Sequence, residues 1–195
     1  MESLTLLGGV TGIALFAGIR LYATVLTVGL CLRYGLLTLP PELSSLSVLS
    51  HPHVLAVAGF CTVVEFLADK VPWLDSLWDA IHAFVRPAGA ALIAFAAVGR
   101  LDPAVEVAVV LLCGGVAFFS HAAKAGTRLL VNQSPEPFSN LLLSFIEDGL
   151  VVGGSYFVVA HPLAALSLVV FFLAMFALLA RRILRRLRKK PSSKP

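Results

Sequence analysis

Residues 75–98 read DSLWDAIHAFVRPAGAALIAFAAV. Asp75, Asp79, His82 and Arg86 fall at offsets of 0, 4, 7 and 11, which at 100° per residue gathers them into a stripe about 60° wide. The opposite face carries Leu77, Trp78, Ile81, Phe84 and Val85, and no charge follows Arg86 before position 98. Each ionisable group at the centre of a bilayer-spanning helix costs at least about 2.5–3.5 kcal/mol unless it faces protein or water. Whether these groups lie at such a depth depends on the rest of the chain.

The 195 residues are 58% hydrophobic and 13% charged, with a mean hydropathy of +0.92. A soluble domain is nearer half apolar and a quarter charged, so a water-soluble fold is excluded. The formal net charge of +4 divides unevenly. Residues 181–195 hold eight bases and no acid, leaving seven bases against eleven acids in the body, so a −4 body carries a +8 tail. That distribution speaks against nucleic acid as a partner and for a membrane with anionic lipids at the tail. Nothing near Met1 reads as a cleaved signal, and the first apolar segment is expected to be retained as an anchor.

Charges and prolines divide the body into six expected helices: about 4–32 (interrupted by Arg20), 53–68, 75–98 (bent by Pro87), 104–131, 138–159 and 162–180. The expected fold is an all-α polytopic bundle, with residues 1–180 as one transmembrane domain and 181–195 as a basic cytoplasmic tail. Six crossings put both termini in the cytoplasm, the loops near Lys70 and Arg128 inside, and those near Arg33 and Arg100 outside. The halves 1–100 and 101–180 resemble each other weakly but in order. Gly18-Ile19-Arg20-Leu21 matches Gly126-Thr127-Arg128-Leu129, Pro41-Glu42 matches Pro135-Glu136, Phe66-Leu67-Ala68-Asp69 matches Phe145-Ile146-Glu147-Asp148, and Arg86-Pro87 matches His161-Pro162. Three spans per half imply an inverted repeat, whose sites lie near the midplane where the halves meet. Chance similarity among apolar segments is the competing explanation.

Two further stripes answer that of residues 75–86. His121, Lys124, Arg128 and Asn132 make a cationic one, and Asn140, Ser144 and Glu147, with Asp148 beside them, an anionic one. Glu65 and Asp69 stand one turn apart. The candidate substrate or ion site therefore comprises Arg20, Glu65, Asp69, Asp79, His82, Arg86, His121, Lys124, Arg128, Asn132, Asn140, Glu147 and Asp148. The loop Ser134-Pro135-Glu136-Pro137 precedes a helix start near Lys124 and Arg128 that suits a phosphate or carboxylate, although Pro137 equally well just begins that helix. No metal or cofactor is expected: the five histidines lack ligand spacing, and Cys31, Cys61 and Cys113 are scattered in apolar stretches. Neither a nucleophile elbow nor a phosphate-cradling glycine loop occurs. Gly8-Gly9, Gly114-Gly115 and Gly153-Gly154 suit close helix crossing.

The ordered motifs Glu65-Phe66-Leu67-Ala68-Asp69-Lys70-Val71-Pro72, Asp75, Asp79, Arg86-Pro87, His121-Ala122-Ala123-Lys124-Ala125-Gly126-Thr127-Arg128, Ser134-Pro135-Glu136-Pro137, Asn140 and Glu147-Asp148 resemble a family of small bacterial integral membrane proteins known only as a domain of unknown function. The likeness covers about residues 5–178 and implies a bacterial inner-membrane location, but no activity. On the residues alone, the leading expectation is a small transporter or channel, leaning towards an anionic solute or lipid headgroup, with proton coupling through His82 or His121 as an option. The alternatives are a scaffold whose buried charges are structural ion pairs and, behind it, an intramembrane enzyme on a lipid phosphate. A second copy of the chain is left open as a partner.

Overall fold

The computed structural model describes residues 1–99, 101–131 and 137–188. Its elements are α1 (Glu2–Ile19), α2 (Leu21–Arg33), a 3-10 helix (Pro41–Ser50), α3 (Pro52–Ala68), α4 (Pro72–Val98), α5 (Pro103–Val131), α6 (Pro137–Ala160) and α7 (Pro162–Arg188). Helices α3 to α7 each begin on a proline, whose fixed φ and missing N–H suit the first helical position. Helix α4 continues unbroken through Pro87.

Five helices, α1 and α4 to α7, are long and apolar enough to cross a membrane; the 3-10 helix and α3, bent by 68°, make a sixth candidate if they count as one span. Large apolar side chains such as Phe60, Phe84, Leu92, Leu111, Leu130 and Phe171 stand exposed around the outside. In a lipid solvent that outer surface is the expected one, so the protein is a multi-pass, all-α membrane bundle. Helix α1 is its axis: every residue from Gly8 to Gly18 is buried, as suits a helix apolar on all faces. It packs against α4, α5, α6 and α7. Gly18 lies directly against the backbone of Ala117, and Gly154 against the ring of Phe16.

Residues 4–32 are expected as one helix, and here the structure differs. Arg20 adopts an extended conformation (φ −146°, ψ 96°) that ends α1 and starts α2. Gly9 of α1 packs on Leu43, and Gly29 of α2 packs on Leu49. If α1 and α2 were collinear, those glycines would be about 30 Å apart at 1.5 Å per residue. Leu43 and Leu49 are separated by only about 12 Å of 3-10 helix. The chain therefore turns back at Arg20.

The depth of this corner follows from α7, which runs beside α1 in the same direction. Gly8 meets Pro162, and Ile19 shares a crevice with Phe172. Beyond Phe172 the apolar part of α7 continues to Ala180, about 12 Å further. The corner thus stops inside the bundle, and α1 with α2 forms a re-entrant pair. Because α1 and α7 run parallel, Met1 and Arg188 lie at opposite ends of the bundle. The expectation that both termini share one side counted residues 4–32 as a single crossing, which the fold-back makes a descent and a return.

The 3-10 helix, expected as a polar loop, closes the end where α1 enters. Its Leu43, Leu46 and Leu49 are buried, and their spacing of three matches a helix with three residues per turn. Val10, Ala14, Ala94, Ala97, Val116 and Val158 complete an uncharged plug at that end. Gly18→Leu is expected to force α1 off α5 and lower stability by about 1–3 kcal/mol through overpacking. Gly115→Ala, where an added Cβ meets nothing, should leave it unchanged. Thermal unfolding in detergent micelles compares the two.

Candidate functional site

Five segments converge on one charged column. Arg20 enters from the α1–α2 corner, Glu65 and Asp69 from the last turn of α3, Asp75, Asp79 and Arg86 from α4, His121, Lys124 and Arg128 from α5, and Ser144, Glu147 and Asp148 from α6. Helices α4 and α5 are antiparallel, so their stripes meet rung by rung. Asp75 pairs with Arg128 at 3.4 Å, Asp79 with Lys124 at 3.8 Å, and Arg86 with His121 at 2.6 Å. From Asp75 to Arg86 the column is about 16 Å long.

The half nearer the α3–α4 turn is built on two arginines. Arg128 grips Glu147 side-on, with Nε to Oε1 at 3.1 Å and Nη2 to Oε2 at 2.7 Å. Its Nη2 also lies 3.7 Å from Asp69. Arg20 pairs with Asp69 and lies 3.1 Å from Asp148 and 3.7 Å from Glu147. The deeper half centres on Arg86, which donates to Glu65 at 2.7 Å and to Asp79 at 3.1 Å. Lys124 bridges the halves through Glu147 (3.6 Å) and Asp79, and donates to the carbonyl of Ile19 (3.4 Å), an otherwise open acceptor at the broken end of α1. Every one of these bases is almost wholly buried. Desolvating such charges costs several kcal/mol per ion, which only close, multiple pairing offsets.

Protonation follows from the donors. Arg86 has no acceptor to offer, so Nδ1 of His121 accepts from it and the imidazole is neutral with its proton on Nε2. His82 stands apart from the ion pairs: its Nδ1 donates to the Trp78 carbonyl at 2.8 Å, its ring stacks on Trp78 and meets the edge of Tyr22, and its buried Nε2 has no hydrogen-bond partner among the described residues.

Two participants were not among the expected site residues. Asp75 belongs to the stripe of α4 and pairs directly with Arg128. Lys70, read from sequence as loop punctuation, donates to Ser144 at 2.9 Å and lies over the rings of Phe66 (3.9 Å) and Phe145 (4.8 Å). Desolvation there holds its pKa below the ordinary lysine value. An alternation of Phe66, Asp69 and Lys70 within one turn was the available signal. Of the residues expected to be equivalent in the two halves, Arg20 and Arg128 share Asp69 and Glu147, and Phe66 and Phe145 meet edge to face. The corner at Arg20 has no counterpart in α5, which runs straight through Arg128, and His161 lies exposed at the α6–α7 turn, far from Arg86's role. Asn132, the side chain of Asn140 and the loop Ser134-Pro135-Glu136 lie outside the described residues.

A cavity of about 260 Å³ opens beside the column between α4 and α5, floored by Asp75, Asp79, His121 and Arg128 and walled by Ala80, Ala83 and Leu129. A larger groove of about 440 Å³ among α2, α3 and α4 is almost wholly apolar. Among the described residues no three His, Cys, Asp or Glu side chains are placed to hold a metal ion, and the three cysteines are unbridged.

Arg86→Leu strands Glu65 without its only ion-pair partner among the described residues and is expected to cost about 3–5 kcal/mol. The double variant Glu65→Leu/Arg86→Leu removes both members, leaving Asp79 with Lys124, and should recover more than half of that loss. Thermal unfolding of the purified single and double variants measures the difference.

No curated protein and no solved structure matches the chain. The family described as a domain of unknown function (DUF4126) matches residues 7–182, which takes in every helix that contributes to the charged column, and the chain belongs to that family.

Proposed function

We propose that this protein is a small transporter or channel whose translocation site is the charged column at the tip of the re-entrant pair. The observation that carries the reading is the corner at Arg20. It brings a broken helix, whose Ile19 carbonyl receives Lys124, inside a membrane bundle at the level of the buried ion pairs. Discontinuous helices of this kind supply ion and substrate sites in transporters, and irregular backbone at membrane depth is tolerated where protein or a wet cavity receives it. The plug at the opposite end and the polar half towards the α3–α4 turn give the column one closed and one polar end.

The cationic stripe of α5 taken alone suits an anionic solute. In the fold each of its bases is engaged by carboxylate, and six carboxylates (Glu65, Asp69, Asp75, Asp79, Glu147, Asp148) face five bases (Arg20, Lys70, Arg86, Lys124, Arg128). This balance favours a proton or another small cation. The location we propose is the bacterial plasma membrane, with the basic tail at the cytoplasmic face. The parallel run of α1 and α7 then puts Met1 on the outer side, the reverse of the six-crossing count.

A second reading, a scaffold whose charges only fix helix packing, is supported by the completeness of the pairing. Purified protein in liposomes separates the two. Under an imposed membrane potential or pH gradient, proton or small-cation flux above that of empty vesicles is expected, and Glu147→Gln should abolish it while the protein still folds. If neither cations nor chloride and phosphate move above background, the scaffold reading stands.

A further inference from the structure

Lys124 differs from the other bases of the column in how it is held. Each of those has a partner at close range: Arg86 reaches Glu65 and Arg128 reaches Glu147 at 2.7 Å, Lys70 donates to Ser144 at 2.9 Å, and Arg20 closes on Asp69. The Lys124 ammonium has three oxygens around it and none as near. They are the Ile19 carbonyl at 3.4 Å, Oε2 of Glu147 at 3.6 Å and Oδ1 of Asp79 at 3.8 Å. Charge-assisted N–H···O bonds run at about 2.7–2.9 Å, so this base is caged rather than clamped. The cage does not depend on its occupant. Arg128 holds the same Glu147 oxygen at 2.7 Å and Arg86 the same Asp79 oxygen at 3.1 Å, which keeps both carboxylates in place without the ammonium.

A second observation is independent of those distances: openings on adjoining faces of α5 lead to the cage. Asp79 lines the cavity between α4 and α5, while Ile19, Lys124 and Glu147 line a crevice of about 210 Å³ among α1, α5, α6 and α7. The side chains of Asp79 and Glu147 are each 10% exposed and that of Lys124 2%. A small solute therefore reaches both carboxylates, whereas the ammonium between them is enclosed. Ser120 and Thr127, one turn to either side of Lys124, add hydroxyl oxygens to the crevice. The carbonyl end of a broken helix carries partial negative charge and coordinates cations in membrane bundles. Among the described residues no three His, Cys, Asp or Glu side chains converge, so two carboxylates and a carbonyl suit a singly charged cation better than a divalent one.

We propose that the Ile19 carbonyl, Asp79 and Glu147 form a binding site for a monovalent metal cation, with the Lys124 ammonium as its tethered stand-in. Two positive charges cannot share three oxygens where screening is poor, and the enclosed lysine has no other acceptor among the described residues. As the cation enters, the N–H bond of the ammonium breaks, the electron pair stays on Nζ, and the proton leaves to water. One charge replaces another, so the column keeps its net charge. The charged and titratable groups on the elements around Lys124 are Arg20 from the corner, Asp69 from α3, Asp75, Asp79 and Arg86 from α4, His121 and Arg128 from α5, and Glu147 and Asp148 from α6, with α7 bringing Phe172. The site deepens the transport reading into cation–proton exchange and rests on it for use, not for existence.

Calorimetric titration of the purified protein with sodium or potassium chloride, in two buffers of different ionisation enthalpy and against choline chloride, counts the protons released. Wild type is expected to release about one proton per cation bound, with an affinity that rises about tenfold per pH unit. Lys124→Gln keeps a donor for the Ile19 carbonyl without the charge. It should bind the cation with no proton released and no dependence on pH; Lys124→Met serves the same comparison should the amide variant fail to fold. A wild-type count of zero, or no binding at all, overturns the site whatever the variants do, and so does proton release that persists in them. Flux in liposomes would then leave the transport reading standing. One proton per cation in wild type, lost in the variants, with no flux of any ion, upholds the site and overturns transport instead.

Discussion

The bundle is organised by the need to neutralise charge where water is scarce. An arginine or aspartate at membrane depth is tolerable only among partners close enough to replace its hydration. Five segments of this chain each bring one sign of charge too many to be stable alone: α4 and α5 carry mixed or cationic stripes, α3 and α6 carboxylates, and the corner a single arginine. None satisfies itself, and their mutual approach fixes the register of α4 against α5 and the position of α3 and α6 around both. The apolar surfaces provide little such direction, because lipid tails compete with leucine on equal terms.

The same requirement explains the corner at Arg20. The sequence there, Gly18-Ile19-Arg20-Leu21, has no proline, and a continuous helix through it would carry α2 past Asp69 and Asp148. Turning back costs the intrahelical bonds of one helix end and one beginning. In return Arg20 reaches Asp69, Glu147 and Asp148, its carbonyl receives Thr24, and the Ile19 carbonyl receives Lys124. The break is a tertiary event, driven by partners some 50 to 130 residues away in the chain.

That is why the sequence disclosed the parts of this site more readily than the path between them. The stripes of α4 and α5 are periodic signals, legible at 100° per residue, and prolines mark the helix starts. Asp79, Arg86, Lys124, Arg128 and Glu147 could be gathered into a site from spacing alone. The fold-back was not legible, since local propensity around Arg20 favours uninterrupted helix and only its distant carboxylates oppose it. Counting residues 4–32 as one crossing is what put Met1 and the basic tail on the same side. Lys70 was hidden for a related reason: next to a proline-marked turn it reads as solvent-exposed punctuation, and its neighbours Phe66, Ser144 and Phe145 are brought to it by α3 and α6 together.

A network closed purely for packing has no reason to carry unequal numbers of acids and bases, because each surplus charge adds a desolvation cost that no partner offsets. Here the surplus is one carboxylate. Asp69 and Asp75 share Arg128 beside the cavity between α4 and α5, and Asp69 also pairs with Arg20, on which the re-entrant pair turns. Were the column only a set of staples, the least costly sequence would place an amide or a leucine at position 75, keeping Arg128 on Glu147 and removing the surplus at once.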